Sequence, residues 1–265
     1  MNFFWKPMPY YWIREGKILK KFKRNNLSAA IAALKIYILI VLTSSKDSDG
    51  GYSSSITYDQ ITKMASISRA LVSSGLKKLF ELGLIETEGV RRKKYFLLGV
   101  KTIRNDSEKP RYIKARFHSE QGFWAKTPHV GMVDESGRIA AFEAMTNRSV
   151  LDLNSLRLFI YFLSIKSKGE VSISVSTSKI RNNTGISYSD IFAAIGFMQS
   201  IGMLYRVSFG GNTIIDHDPS SIIHFLVCGW ECLEWKPHYL SEEEWQDRFT
   251  NPIFSGLEIP NRLVK

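Results

Sequence analysis

The chain has few cysteines and lacks the motifs that mark common enzyme classes. Its 265 residues include two cysteines, Cys228 and Cys232, which are too few for a disulfide framework and fit a reducing cytoplasm. It contains no P-loop, HExxH, GxSxG or GxGxxG motif. We therefore expect a cytoplasmic protein that is not an enzyme, with no catalytic residues and no cofactor.

Long apolar runs are also missing. The most apolar run, Leu34–Leu42, contains Lys35 and is too short to cross a bilayer, and we find no segment of transmembrane length. The aromatic, proline-containing N-terminus lacks the continuous apolar core of a signal peptide. We expect no membrane contact, and we interpret Leu34–Leu42 as part of a buried helix.

One group of residues near the C-terminus resembles a metal site, but the ligand set is incomplete. Ser220–Glu234 has the composition of an apolar helix, on which His224, Cys228 and Cys232 would share one face. No CxxC or HxxxH pair completes a tetrahedral set, and residues eight apart on a straight helix diverge. We predict a packed helix with buried thiols and no bound metal.

Acidic residues are scarce in the first part of the chain. Residues 1–116 carry 23 Lys and Arg against 9 Asp and Glu, a balance of +14, whereas residues 216–265 carry 4 against 9. Clustered basic charge predicts a polyanionic partner.

Residues 1–26 interleave seven cations with aromatic side chains, and two interpretations stay open. This arm either grips phosphates, or its aromatic side chains pack on the first domain.

The stretch Ile56–Leu98 is predicted to form a helix-turn-helix followed by a basic β-hairpin. Thr57 can cap a helix that runs to Met64, and Ser68 can cap a second helix that ends at Gly83. The second helix has an apolar stripe at helical spacing. Its members are Val72, Leu76 and Leu79.

The opposite face of the second helix suits insertion into a DNA major groove, because its side chains are small or cationic. These residues are Ala70, Ser73, Ser74 and Lys77, with Arg69 in the first turn. The hairpin tip carries four consecutive cations, Arg91, Arg92, Lys93 and Lys94, which repel one another unless a polyanion lies nearby. We predict that Arg69, Ser73, Ser74 and Lys77 face bases of double-stranded DNA. Phosphate contacts are predicted for Thr57, Ser68 and Arg91–Lys94.

The second half of the chain repeats the first at an offset of 119. Ile61, Ile67, Ser68, Val72, Leu76, Leu79, Gly83, Leu84 and Ile85 correspond to Ile180, Ile186, Ser187, Ile191, Ile195, Met198, Gly202, Met203 and Leu204. Upstream, LKIYILIVL from Leu34 corresponds to LRLFIYFLS from Leu156, at an offset of 122. Agreement of apolar, capping and terminating positions indicates two copies of one fold.

The second copy loses the cations of the first. Tyr188 replaces Arg69, and the other reading positions become Ser189, Phe192, Ala193 and Gly196. We predict a protein interface at Tyr188, Phe192, Ala193 and Gly196. The alternative is a weaker DNA contact, in which Phe192 and Ala193 touch thymine methyl groups. In this alternative, Arg181, Asn182 and Asn183 would contact phosphates, and Arg206 of the second wing would be a further DNA contact.

The tandem halves, the long apolar first helix, the segment SRALVSSGLKKLFELGLIETEG and the basic wing together resemble the plasmid replication initiator (Rep) proteins. The likeness covers about residues 27–215 and implies an α+β protein with two winged helix-turn-helix domains in tandem. The expected parts are a basic aromatic arm (1–26), a DNA-reading winged-helix domain (27–99), a partly β connector (100–150), a second winged-helix domain (151–215) and a C-terminal helical segment (216–265).

These features together predict a sequence-specific double-stranded DNA-binding protein. The resemblance favours a plasmid or phage replication initiator that binds origin repeats, with a second copy of the chain or replication-machinery proteins as further partners. A transcriptional repressor or autoregulator of a mobile element is the first alternative. A winged-helix adaptor that contacts only proteins is the second.

Overall fold

The computed structural model describes residues 5–15, 17–90, 92–103, 111–129, 131–166, 172–209 and 222–229, with the backbone alone for 206–209. Helices and several small antiparallel sheets alternate along the chain, so the predicted α+β class is confirmed.

The elements follow one another in this order. The first part contains β1 (Trp5–Pro9), α1 (Tyr11–Arg14), short 3-10 helices at Ile18–Lys21 and Arg24–Asn26, α2 (Leu27–Thr43), β2 (Ser45–Lys46), β3 (Tyr52–Ser54), α3 (Tyr58–Ala65), α4 (Arg69–Glu81), β4 (Ile85–Glu88) and β5 (Lys94–Ile103). The middle contains β6 (Arg111–Arg116), a 3-10 helix at Ser119–Gln121, β7 (Trp124–Pro128) and α5 (Ala140–Glu143). The last part contains α6 (Val150–Ile165), β8 (Ile173–Ser176), α7 (Thr177–Thr184), α8 (Tyr188–Ser200), β9 (Leu204–Phe209) and β10 (Ile222–Val227).

Two units share one order of elements. The first unit runs α2, β3, α3, α4, β4, β5, and the second runs α6, β8, α7, α8, β9, β10. In both, the last strand lies in the middle of the sheet, giving the orders β3-β5-β4 and β8-β10-β9. Helices α3 and α4 correspond to α7 and α8 residue for residue at the predicted offset of 119.

The ends of α4 and α8 are formed by the same local contacts. Ser68 Oγ accepts a hydrogen bond from the Leu71 amide, and Ser187 Oγ accepts one from the Asp190 amide. At the other end, Gly83 has φ +60° and its counterpart Gly202 has φ +73°, conformations that glycine adopts without a Cβ clash. The capping and terminating residues predicted from the sequence are therefore confirmed.

The predicted C-terminal helix is wrong. Within Ser220–Glu234 the structure has strand β10, which pairs with both β8 and β9. A central strand covered on both faces is apolar at successive positions, so its sequence resembles a buried helix. Leu226 and Val227 are both buried. The second unit therefore extends past the predicted boundary at residue 215.

His224 lies on this strand, so it is not part of the helical face that was proposed to carry it with Cys228 and Cys232. His224 Nδ1 is 2.6 Å from Ser174 Oγ, and Cys228 Sγ is 3.3 Å from the Tyr205 hydroxyl. Cys232 lies outside the described residues. In the described parts of the chain, no three His, Cys, Asp or Glu side chains form a group that could hold a metal ion.

The long helices α2 and α6 pack against each other at the centre of the protein. Each also packs on its own pair of shorter helices, α3 and α4 or α7 and α8. The stretch Arg24–Thr43 has the length and composition of a membrane span, contrary to the expectation that no segment does. Of its most apolar window, 78% is buried inside the protein, which fits the predicted core helix.

Each unit covers the helix-helix turn of the other. In the first unit, Asn147 Nδ2 donates to the Ser66 carbonyl at 3.0 Å, just before α6 begins. In the second, Lys20 lies against Gly185, and Arg24 forms a 2.7 Å ion pair with Asp190. The segment before each long helix therefore braces the turn of the opposite unit.

The N-terminal arm packs on the protein, as one of its two interpretations predicts. Strand β1 pairs with β7, and the apolar side chains of the arm enter the core. These include Met8, Ile13, Leu19 and Phe22. The cations Lys17, Lys20, Lys21, Lys23 and Arg24 stay exposed. The apolar side chains of the arm are therefore buried in the core, and its cations form a basic surface.

Candidate nucleic-acid interface

Helix α4 presents the predicted face to solvent. Its apolar stripe packs on α2, where Val72, Leu76 and Leu79 are buried. The predicted reading residues Arg69, Ala70, Ser73, Ser74 and Lys77 are all exposed. Ser74 Oγ donates to the Ala70 carbonyl at 3.1 Å, within the helix. Three of these five side chains are small, so the middle of the face can approach a groove closely.

Two contacts on this face were not predicted. Arg69 forms an ion pair with Asp59 in the first turn of α3, with both side chains largely exposed. An ion pair this exposed is weak, so Arg69 can exchange Asp59 for a phosphate or a base. The hydroxyl oxygens of Tyr58 and Ser73 are 3.5 Å apart, which places an additional aromatic hydroxyl beside the reading face.

Thr57 and Ser68, predicted to contact phosphates, form helix caps. Thr57 Oγ1 accepts from the Gln60 amide at 3.3 Å, while Gln60 Oε1 accepts from the Thr57 amide at 2.8 Å. Ser68 Oγ accepts from the Leu71 amide at 3.4 Å. Both side chains are exposed, and a hydroxyl that accepts in a cap still has its own hydrogen to donate to a phosphate.

The hairpin β4–β5 forms as predicted, but its cations differ in their surroundings. Arg92 and Lys93 are exposed, and Val90 at the tip is 94% exposed. Arg91 lies outside the described residues. Lys94 is less available than predicted, because it forms a 2.8 Å ion pair with Asp47. Its ammonium also lies 5.3 Å from the centroid of the Phe96 ring.

In the second unit, the predicted interface residues are unequally exposed. Tyr188 and Phe192 are half-buried and pack against the core, whereas Ala193 and Gly196 are exposed. Phe192 is therefore less available to a partner than the prediction of an exposed aromatic implies. The sequence of α8 contains no Lys or Arg.

The residues predicted as alternative DNA contacts of the second unit also differ in their surroundings. Arg181 is exposed and stacks 4.9 Å from the Tyr188 ring centroid, and Asn182 is exposed. Asn183 Nδ2 donates to the Tyr161 hydroxyl and to the Lys179 carbonyl. Arg206 belongs to β9, and its side chain lies outside the description.

A pocket of about 550 Å³ lies beside the turn between α3 and α4. It is lined by hydroxyl and amide groups, by the apolar side chains of Ile67 and Leu71, and by the exposed Arg148, which lies just before α6. Thr62 Oγ1 and Asn147 Oδ1, both on this pocket, are buried without a hydrogen-bond partner. The pocket adds Arg148 as a cation near the start of α4 that sequence reasoning missed.

A buried cation lies at the same place in both units. Lys35 Nζ donates to the carbonyls of Ala65 at 3.1 Å and Phe142 at 2.7 Å. At the matching position of α6, Arg157 donates to the Thr184 carbonyl. Ala65 and Thr184 are the last residues of α3 and α7, so each cation caps the helix before the turn.

Burial lowers the pKa of Lys35 to about 8, although Asp152 opposes the shift, and it lowers the pKa of Arg157 to about 10. The sequence signal was a cation at the second position of both apolar runs, LKIYILIVL and LRLFIYFLS.

No protein-family model, curated protein or solved structure matches this chain.

Proposed function

We propose that both units are winged-helix domains and that the chain is a sequence-specific double-stranded DNA-binding protein. The main support is α4, whose solvent face carries small polar side chains and Lys77 and is followed directly by the hairpin that bears Arg92 and Lys93. A helix that reads bases and a wing that contacts phosphates together match the shape and charge of duplex DNA.

The order of elements supports the winged-helix assignment. Each unit has a long helix, a short strand, a helix pair and two further strands, with the last strand central in the sheet. The second unit keeps this order without cations on α8. We therefore assign base reading to the first unit, and assembly or a weaker DNA contact to the second.

Within this class, a cytoplasmic plasmid or phage replication initiator is the proposed role. It rests on the two like units in one chain, the long apolar helix that begins the first unit, the segment that forms α4 and the basic wing, which are the features on which the resemblance to Rep proteins was based. Directly repeated binding sites beside an AT-rich segment would support initiation. A single palindrome over a promoter would instead support a repressor or autoregulator.

The test begins by selecting duplexes that the full chain binds and footprinting them. We then expect Lys77→Gln to lower duplex affinity about tenfold, and to reduce the slope of log affinity against log salt by about one if Lys77 also contacts a phosphate. The matched control is Arg138→Gln, which removes an exposed cation from the residues just before α5. It should leave affinity within about twofold, because no DNA contact is predicted at Arg138.

A double variant tests the wing. Arg92→Gln with Lys93→Gln should weaken binding to all duplexes alike and reduce the salt slope by about two. A flat salt response of the wild-type protein, or unchanged affinity in this variant and in Lys77→Gln, would contradict duplex binding through this face. That result would favour the protein adaptor.

A further inference from the structure

Three aromatic side chains form a cluster on the surface, outside the main core. The ring centroids of Tyr11 and Tyr112 are 4.9 Å apart, those of Tyr11 and Phe123 are 5.2 Å apart, and those of Tyr112 and Phe123 are 5.4 Å apart. Tyr112 is 36% exposed, and the other two are half-buried. In the described chain none of the three belongs to the core or packs against it.

The cluster joins three distant segments. Tyr11 comes from α1, Tyr112 from β6 and Phe123 from the residues just before β7. Phe123 has φ +56°, a left-handed conformation that is unfavourable for a bulky residue, and its carbonyl accepts a 2.8 Å hydrogen bond from the Tyr10 amide. Such strain is typical of binding sites, where the surrounding structure holds a side chain in a required position.

Two further aromatic rings, Tyr10 and Trp12, contact the edges of this cluster, and each has a cation beside it. The Arg14 guanidinium lies 5.3 Å from the Tyr10 ring centroid, and the Lys114 ammonium lies 5.0 Å from that of Trp12. On β6, the exposed Lys114 lies two residues from Tyr112 and therefore on the same face of the strand. This combination of partly exposed rings and neighbouring cations matches a ligand that has flat π-faces joined by negative charges.

We propose that the cluster of Tyr11, Tyr112 and Phe123 binds single-stranded nucleic acid, with an unpaired base stacked on Tyr112. Arg14 and Lys114 contact the adjoining phosphates. Stacking of bases on aromatic side chains inside a basic surface is tolerant of sequence, because every base has a π-face. A duplex does not fit this site, because its base faces are covered by neighbouring base pairs. The activity is separate from duplex reading by α4 and does not depend on it.

The test uses the full chain and a fluorescent oligo(dT) of about 15 nucleotides, the upper end of common single-strand site sizes. We expect Tyr112→Ala to weaken binding about 5- to 100-fold, and Tyr112→Phe to retain it within about twofold, because phenylalanine keeps the stacking face. An abasic strand with the same number of phosphates should bind as weakly to the wild-type protein as oligo(dT) binds to Tyr112→Ala. Oligo(U) shows whether RNA is accepted as well as DNA.

Duplex affinity provides the matched control. Tyr112→Ala should bind the selected duplex as the wild-type protein does, whereas Lys77→Gln should lose duplex affinity and keep oligo(dT) binding. If the duplex experiments fail while oligo(dT) binding responds to Tyr112, the proposed duplex function is wrong and the cluster assignment stands. The assignment would be overturned if the wild-type protein did not bind oligo(dT), or if it bound the abasic strand as tightly as oligo(dT). It would also be overturned if Tyr112→Ala bound oligo(dT) with wild-type affinity.

Discussion

Replacing Lys35 by methionine is expected to lower the free energy of unfolding by about 3 kcal/mol at neutral pH. Methionine has a similar volume, so the change leaves packing within α2 nearly intact. It removes the donor that serves the carbonyls of Ala65 and Phe142, and the Lys35 site is fully buried. Leaving a buried carbonyl without a partner costs about 1–3 kcal/mol.

Denaturant unfolding of the two proteins measures this loss. Lys63→Met on α3 is the matched control, because Lys63 is exposed and its replacement should change stability by no more than about 0.5 kcal/mol. If Lys35→Met were as stable as the wild-type protein, the two carbonyls would not need the ammonium. The buried cation would then have no structural role.

The pH dependence of the same pair has a defined sign. Burial lowers the pKa of Lys35 from 10.5 to about 8, so between these values the unfolded chain binds more protons than the folded protein. Stability of the wild-type protein relative to Lys35→Met should therefore rise as the pH increases from about 8 to 10.5, by up to about 3 kcal/mol. A constant difference across this window would show that Lys35 titrates as an exposed lysine does.

Local features of the sequence predicted much of this fold. Capping by Thr57 and Ser68, the buried stripe of α4 and the glycine at its end depend on neighbours within a few residues, and all are seen in the structure. The repeat carried these local signals into the second unit, where α7 and α8 begin and end at the matching residues. The part of the candidate site that lies on α4 could therefore be predicted from capping residues and helical periodicity.

Contacts between distant residues were not predictable in the same way. Lys94 was expected to hold a phosphate, but it pairs with Asp47, more than 40 residues earlier. The run around Leu226 was interpreted as a helix, because its pairing with β8 and β9 depends on residues that lie far away in the sequence. The cluster of Tyr11, Tyr112 and Phe123 brings together segments whose proximity no local pattern records.

Helices α2 and α4 approach each other closely at Gly75. Gly75→Ala is expected to lower the free energy of unfolding by about 1–3 kcal/mol, although alanine favours helices. A Cβ atom at Gly75 would lie 2.7 Å from Ile36 Cδ1 and 2.9 Å from the Ala33 amide nitrogen. The side chain of Ile36 can adjust, but the backbone of α2 cannot move away without opening the core.

Gly196→Ala provides the matched control on α8. A Cβ atom there meets no atom within 4 Å, so we expect the variant to gain about 0.5–1 kcal/mol from helix propensity alone. At the position of α8 that matches Gly75, Ala194 is fully buried beside α6, so the second unit already accommodates a methyl group. Opposite signs for the two variants in thermal unfolding would show that α4 packs more closely on its long helix than α8 does. If Gly75→Ala and Gly196→Ala stabilised the protein equally, α2 would have shifted to admit the new methyl group. Gly75 would then not determine the position of α4.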